Sequence, residues 1–320
     1  MEEVLFFILA GGRGERLAPL TKDCPKPLVR FGFSSRIIDF TLYNCLISAG
    51  NKIIILTQHF SEMIEKYILK NWKQAFRIQG KSLCVARGND FQKGYFSGTA
   101  DAVYQTLSTK ARLPKFVVVL AADHIYRMDY RPLVRFHMDH GREATVSAVP
   151  CDREQAHRFG IINDGQDGMI RSFHEKPRSL EGIVPPHIHP LASMGIYVFS
   201  TAPLLKYLKK NQQKSSNDFG KDILPDIVES REALVYPFLR PDGECAYWRD
   251  VGDLPAYQKV REEFFNGQYR FLRFDNKPGM KQLPTSPCPN TQNRLLDGLH
   301  RFRFGEPVCV EEMNKHQTVD

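Results

Sequence analysis

The chain has 320 residues, 42% of them hydrophobic and 25% charged, and carries a formal charge of +8. These proportions are those of a globular protein and exclude collagen-like, disordered and membrane-spanning classes, since no apolar run approaches the roughly 20 residues that cross a bilayer. Seven cysteines without a Cys-x-x-Cys pair, and Lys and Arg scattered rather than clustered, exclude a disulfide framework, a zinc site and a nucleic-acid arm, and point to small phosphorylated ligands.

In chain order, the acidic start Met1-Glu2-Glu3 and the apolar run over 4–10 lead into Gly11-Gly12, which reads as a strand and turn rather than a signal peptide. A cytoplasmic protein is expected. Further strands are predicted near 52–57, 116–122, 144–149, 192–199 and 233–238. Helical spacing of apolar residues recurs in 36–48, 60–70, 99–108, 130–139, 202–210 and 253–265. This alternation predicts an α/β fold, a doubly wound and mostly parallel sheet. Gly160, Asn163-Asp164-Gly165 and Asp167-Gly168 divide 151–175 into short runs, predicting a small hairpin insert of the kind that covers substrates. Past Asn266, four prolines (278, 284, 287 and 289) interrupt a polar stretch, so residues 1–266 are expected to form the main domain and 267–320 an irregular tail.

Two segments carry chemistry. Gly11, Gly12 and Gly14 follow the first strand and let backbone N–H groups approach a polyphosphate, with Arg16 and Lys26 as cationic donors beside them. The loop lacks both the Gly-x-Gly-x-x-Gly fingerprint and a P-loop Gly-Lys-Ser/Thr, and an ordinary turn is its structural alternative. The run Val117-Val118-Val119-Leu120-Ala121-Ala122 ends in Asp123. A strand-end aspartate in a doubly wound sheet faces the ligand crevice and suits a metal bound to phosphates, or else caps a helix. His124 reads as a packed neighbour rather than a ligand.

These segments occur in order with Arg36-Ile37-Ile38-Asp39-Phe40, Gly98-Thr99-Ala100-Asp101-Ala102-Val103, Phe159-Gly160, Glu175-Lys176-Pro177, Ala192-Ser193-Met194-Gly195-Ile196-Tyr197, Asp218-Phe219-Gly220-Lys221-Asp222 and Tyr247-Trp248-Arg249-Asp250-Val251-Gly252. Together, over about 4–262, they resemble the catalytic domain of the glucose-1-phosphate adenylyltransferases, a branch of the sugar nucleotidyltransferases. The resemblance implies the Rossmann-like nucleotide-diphospho-sugar transferase fold, and a reaction of ATP with glucose 1-phosphate that gives ADP-glucose and pyrophosphate for glycogen- or starch-type synthesis. It implies catalytic roles for Arg16 and Lys26 on the triphosphate and for Asp123 and Asp250 on Mg²⁺. Gly11, Gly12, Gly14, Gly98 and Thr99 would meet the nucleotide. The sugar phosphate would meet Glu175, Lys176, Gly160, Ser193 and the position of Phe96.

The chain departs from the family at three places. Tyr95-Phe96-Ser97 stands where the family carries a Tyr followed by Arg or Gln, Ala122 where it carries Gly before the metal aspartate, and 267–320 shows no hexapeptide repeat of the family's β-helix. A relative using another nucleotide or sugar phosphate, or a weakly active regulatory subunit, therefore stays open. Without the repeats a monomer or weak oligomer is expected rather than a stable tetramer, with a homo-oligomer or a hetero-oligomer with a related subunit as the alternative, and no nucleic-acid or membrane partner is expected.

Overall fold

The computed structural model describes residues 4–32, 35–48, 50–165, 167–213, 216–240 and 242–266; the expected tail 267–320 lies outside them. Its centre is a nine-stranded sheet. Strand Val4–Leu9 pairs in parallel with Lys52–Thr57 on one side and with Phe116–Ala121 on the other, and Lys52–Thr57 pairs in parallel with Ser82–Arg87 at the edge. Beyond Phe116–Ala121 comes the long strand Leu191–Ser200, which runs antiparallel, then Ala144–Pro150 and Ala233–Pro237, which resume the first direction. Two strands of the nine, Leu191–Ser200 and Ile170–Glu175, thus oppose the rest, and the doubly wound, mostly parallel reading holds.

The alternation of strand side chains shows that both faces are covered. Val4, Phe6 and Ile8 enter one hydrophobic cluster while Leu5 and Phe7 enter a second on the opposite face. Val117, Val118, Val119 and Leu120 are all fully buried, which is why the central strand reads as an unbroken apolar run. The six expected helices form as Ile37–Ile47, Ser61–Asn71, Thr99–Ser108, Tyr130–His140, Thr201–Asn211 and Leu254–Phe265. Helix Ile37–Ile47 is buried on nearly every face, all residues but Ile47 lying inside.

The hairpin insert forms from Gly160–Asp164 and Ile170–Glu175, paired antiparallel, with Gly160 opposite Glu175. It joins the sheet through Leu191 and Ala192, whereas Ile196–Ser200 of the same strand pair with the central strand. The register shifts between these halves, and Gly195 sits there at φ +67°, a conformation that strains any residue with a Cβ. This bulge lets one strand serve both the sheet and the insert.

His137 pins the sheet to the Tyr130–His140 helix: its Nδ1 lies 2.9 Å from Thr145 Oγ1 and its Nε2 3.1 Å from Ser200 Oγ. Burial, with a smaller contribution from His140, pushes its pKa down to about 4. The unfolded chain takes up the proton near pH 6.5 and the native state does not, so the stabilisation is full above pH 6.5 and is lost as pH falls toward 4. Denaturant titrations at pH 7 and 4.5 should show a pH-linked loss larger by about 2–3 kcal/mol in the wild type than in His137→Gln.

Candidate active site

The first strand ends at the glycine loop, where Gly14 is the residue the conformation demands. It adopts φ +70°, and a Cβ there would come within 2.7 Å of Lys26 Cβ, so the loop can lie against Lys26 only without a side chain at 14. Thr21 Oγ1 donates to the Gly14 carbonyl at 2.9 Å and holds the turn. Gly12 has open space where a Cβ would stand, and Gly11 lies in ordinary contact with Gln58. Arg16 is exposed on the short turn Glu15–Leu17, anchored by the fully buried Leu17.

Lys26 opens the turn Lys26–Leu28, set between Pro25 and Pro27. Its turn is held from behind by the Ile37 N–H on the Val29 carbonyl at 3.1 Å and by the Arg36 guanidinium on the Leu28 carbonyl. Arg36 N–H in turn donates to Asp39 at 2.8 Å, and Asp39 is buried and also accepts from Tyr67 and from Trp72 Nε1. The Arg-Ile-Ile-Asp-Phe segment is therefore scaffolding for Lys26.

Asp123 follows the central strand, where the Ala122 N–H donates to the Leu9 carbonyl at 3.2 Å. The next residues, His124–Tyr126, pair antiparallel with Trp248–Asp250, placing Asp250 directly opposite His124. This three-residue ribbon brings together two carboxylates that lie far apart in sequence. Lys26 Nζ stands 2.6 Å from Asp123 Oδ2 and 3.7 Å from Asp250 Oδ1, and His124 Nε2 is 3.7 and 3.9 Å from the two Oδ1 atoms. Burial works against the Lys26 ammonium, as does Arg16, yet Asp123 and Asp250 outweigh both and hold its pKa above the ordinary lysine range. Desolvation would lift Asp123, but Lys26 and His124 hold its carboxyl well below the usual carboxylate range. The His124 ring meets Trp248 edge to face at 5.0 Å, as a packed neighbour of the carboxylates.

The second group forms around Glu175. Its Oε1 lies 2.8 Å from Lys176 Nζ, and its Oε2 occupies space that a Cβ at Gly160 or Gly220 would enter, at 3.0 and 2.5 Å. A side chain at 220 would crowd the carboxylate directly, and one at 160 would meet the Phe173 ring at 2.3 Å before it. Lys176 takes φ +49° and its N–H donates to the Phe159 carbonyl at 2.9 Å, leaving its side chain half exposed. Ser193 is buried; its Oγ lies 3.4 Å from the Tyr197 hydroxyl and accepts from the Gly195 N–H at 3.3 Å. Burial raises the Tyr197 phenol above its ordinary range, and the nearby Glu175 and Asp218 raise it further, so it stays protonated. Gly195 links the two groups, since a Cβ there would lie 3.4 Å from His124 Cε1.

Three sequence-predicted residues are placed differently from the rest. Thr99 Oγ1 donates to Asp218 Oδ2 at 3.0 Å and accepts from the Phe219 N–H at 3.1 Å, so its hydroxyl joins two segments of chain. Gly98 permits that junction, because a Cβ would come within 2.3 Å of the Asn217 carbonyl oxygen. The Phe96 ring is buried against Phe91, and its N–H and C=O are engaged by the Gln58 amide. The residue beside it, Tyr95, is exposed. Ala122 is fully buried and belongs to the hydrophobic core. Sequence reasoning passed over Asp218, whose Oδ1 accepts from the Gly220 and Lys221 N–H groups, although the Asp-Phe-Gly motif marks it. It also passed over Arg158, which no motif marks.

Comparison with known proteins agrees with this geometry. Residues 6–266 match the nucleotidyl transferase family. The chain is 40% identical over 296 residues to a glucose-1-phosphate adenylyltransferase of Rhodopirellula baltica, covering 90% of this chain and 66% of that protein. It is 38% identical over 275 residues to glucose-1-phosphate adenylyltransferase 2 of Pseudoalteromonas atlantica, covering 84% and 66%, and 40% identical over 269 residues to that of Vibrio parahaemolyticus, covering 81% and 66%. The chain thus spans just under two thirds of the length of these relatives. No helix among the described residues is long and apolar enough to cross a membrane. With a cationic glycine loop, a strand-end carboxylate pair and a family match over most of its length, the chain belongs to the nucleotidyl transferase family.

Proposed function

We propose that the protein is a glucose-1-phosphate adenylyltransferase: a phosphate oxygen of glucose 1-phosphate attacks the α-phosphorus of ATP, the bond to the β-phosphate breaks, and ADP-glucose and pyrophosphate result. The observation that carries this reading is the convergence of Asp123 and Asp250 on Lys26 at the mouth of the glycine loop, with the Glu175–Lys176 pair on the adjoining insert. The attacking phosphate is already ionised, so no general base is needed, and catalysis reduces to holding two polyanions in line and offsetting their charge. Arg16 and Lys26 are the cations for the triphosphate and the leaving pyrophosphate. Glu175 accepts from glucose hydroxyls, and Lys176 pairs with the sugar phosphate.

The donor set fits Mg²⁺. Two hard carboxylates converge on Lys26, and Asp123 keeps a third of its side chain exposed. That is the pattern of an ion held by one or two carboxylates, with phosphate oxygens and water completing it. Asp123 and Asp250 would hold the ion, which supplies charge neutralisation at the α-phosphate when bound. The presence of Arg16, Lys26, Asp123, Lys176 and Asp250 together favours an active enzyme over a purely regulatory subunit. Glycogen- or starch-type synthesis in the cytoplasm is the setting this reaction implies, with ATP and glucose 1-phosphate as small-molecule partners and a homo- or hetero-oligomer as the assembly.

Pyrophosphate release and ADP-glucose formation by the purified protein, against a panel of nucleotides and sugar phosphates, test the assignment. Absence of product, or preference for another nucleotide, overturns it. Within the same assay, Lys176→Gln should raise the KM for glucose 1-phosphate about 10–100-fold, the loss of roughly 1.5–3 kcal/mol for a charged hydrogen bond. The KM for ATP should stay within about twofold, because Lys176 pairs with the sugar phosphate alone.

A further inference from the structure

We propose that Arg158 is a positioning residue that orients Asp250 and ties it to the hairpin insert; this rests on the reading of Asp123 and Asp250 as the metal-holding carboxylates. Arg158 ends the turn Arg153–Arg158, immediately before the insert's first strand. Its side chain is only 18% exposed, and Nη2 lies 3.4 Å from Asp250 Oδ2 and 3.0 Å from Asp253 Oδ2. Asp250 is thereby held by one oxygen from the insert side, while the other, Oδ1, faces Lys26 and His124. A carboxylate pinned at one oxygen does not turn freely about its last bond, so Arg158 decides which oxygen is presented beside Asp123.

Two further observations single out this contact. A Cβ at Gly252 would come within 2.6 Å of Asp250 Oδ2 and 3.2 Å of Arg158 Nη2, so a side chain at 252 would crowd both ends of this contact. The Nε of Arg158 is buried without a hydrogen-bond partner, so the guanidinium leaves one donor unsatisfied in order to reach both carboxylates. Asp253 divides its work: Oδ1 accepts from the Ala256 N–H at 2.9 Å and caps the last helix, leaving Oδ2 for Arg158.

The chain connection gives the contact its meaning. The next residue, Phe159, accepts the Lys176 N–H through its carbonyl and packs its ring on Trp248 at 5.4 Å, and Gly160 then faces Glu175. Arg158 is therefore the cation through which the sugar-phosphate side of the crevice bears on the carboxylate side.

Mn²⁺ binding to the protein alone, followed by electron paramagnetic resonance, reads the effect without turnover. Arg158→Gln should weaken Mn²⁺ binding about 10–100-fold and raise the Mg²⁺ concentration for half-maximal rate to match. Arg158→Lys should recover part of this, because an ammonium reaches one carboxylate at a time. Asp253→Asn keeps the helix cap and should lower Tm while leaving Mn²⁺ affinity within about twofold. Wild-type Mn²⁺ affinity in Arg158→Gln, or the same loss in Asp253→Asn, overturns the positioning role. A wild type that binds no more Mn²⁺ than Asp250→Asn overturns the metal reading itself, and the proposal with it.

Discussion

Asp250→Asn and Asp123→Asn should each lower turnover by about 10²–10³-fold or more, the scale of removing a preorganised charge from a transition state. Asparagine keeps the size and one acceptor oxygen, so the loss reports charge rather than shape. The two variants should part in stability. Asp123 makes the 2.6 Å contact with Lys26, whereas Asp250 stands 3.7 Å from the same ammonium, and its other cation, Arg158, keeps Asp253 as a partner at 3.0 Å when Asp250 is neutralised. Asp123→Asn should therefore lower Tm more than Asp250→Asn, with both spectra native-like. Near-wild-type rates in both at saturating Mg²⁺ would remove the carboxylate pair from the mechanism.

That pair shows how much of the site was legible in the sequence. Asp123 is readable because it follows a continuous Val and Leu run, and strand ends in a doubly wound sheet face the ligand crevice, with a helix cap as the alternative. Asp250 is not readable by pattern, since its strand has three residues and no period; the family motif supplied it, and the ribbon register explains it. The principal strands and helices were legible for the same reason as Asp123, their burial being long enough to imprint a period. The edge strand Ser82–Arg87 was missed because one side of it meets solvent and its burial follows no clean alternation. The turn Phe219–Ile223, continuing into Leu224–Glu229, was missed because Pro225 interrupts its pattern, although Pro at the second position of a helix is well accommodated. The fork at Gly195 depends on tertiary pairing, and a single glycine within an apolar strand does not announce it. Arg158 carries no sequence signal at all: its role arises from a neighbour, Asp250, 92 residues away.

Lys26→Met should cost both turnover and stability, and the pH dependence of the stability loss identifies its cause. Lys26 is 6% exposed and its ammonium serves two carboxylates. Removing it leaves Asp123 and Asp250 facing each other without the intervening cation, at about 3 kcal/mol, the low end for breaking a buried pair because Asp123 is partly solvated. The native pKa of Asp123 lies below its unfolded value, so its contribution is present above about pH 3.9 and is lost as pH falls below that. The native pKa of Lys26 lies above its unfolded value, so its contribution is present below about pH 10.4 and is lost as pH rises through the native value. The stability difference between wild type and Lys26→Met should thus form a plateau from about pH 4 to 10.5 and shrink on either side. Lys26→Arg is no substitute, because a planar guanidinium fork does not reproduce the single ammonium that serves both Asp123 and Asp250, and activity should stay low. Denaturant titrations of wild type and Lys26→Met at pH 3, 7 and 11 measure the profile. A difference that stays constant across that range would assign the loss to packing of the lysine stem and not to its charge.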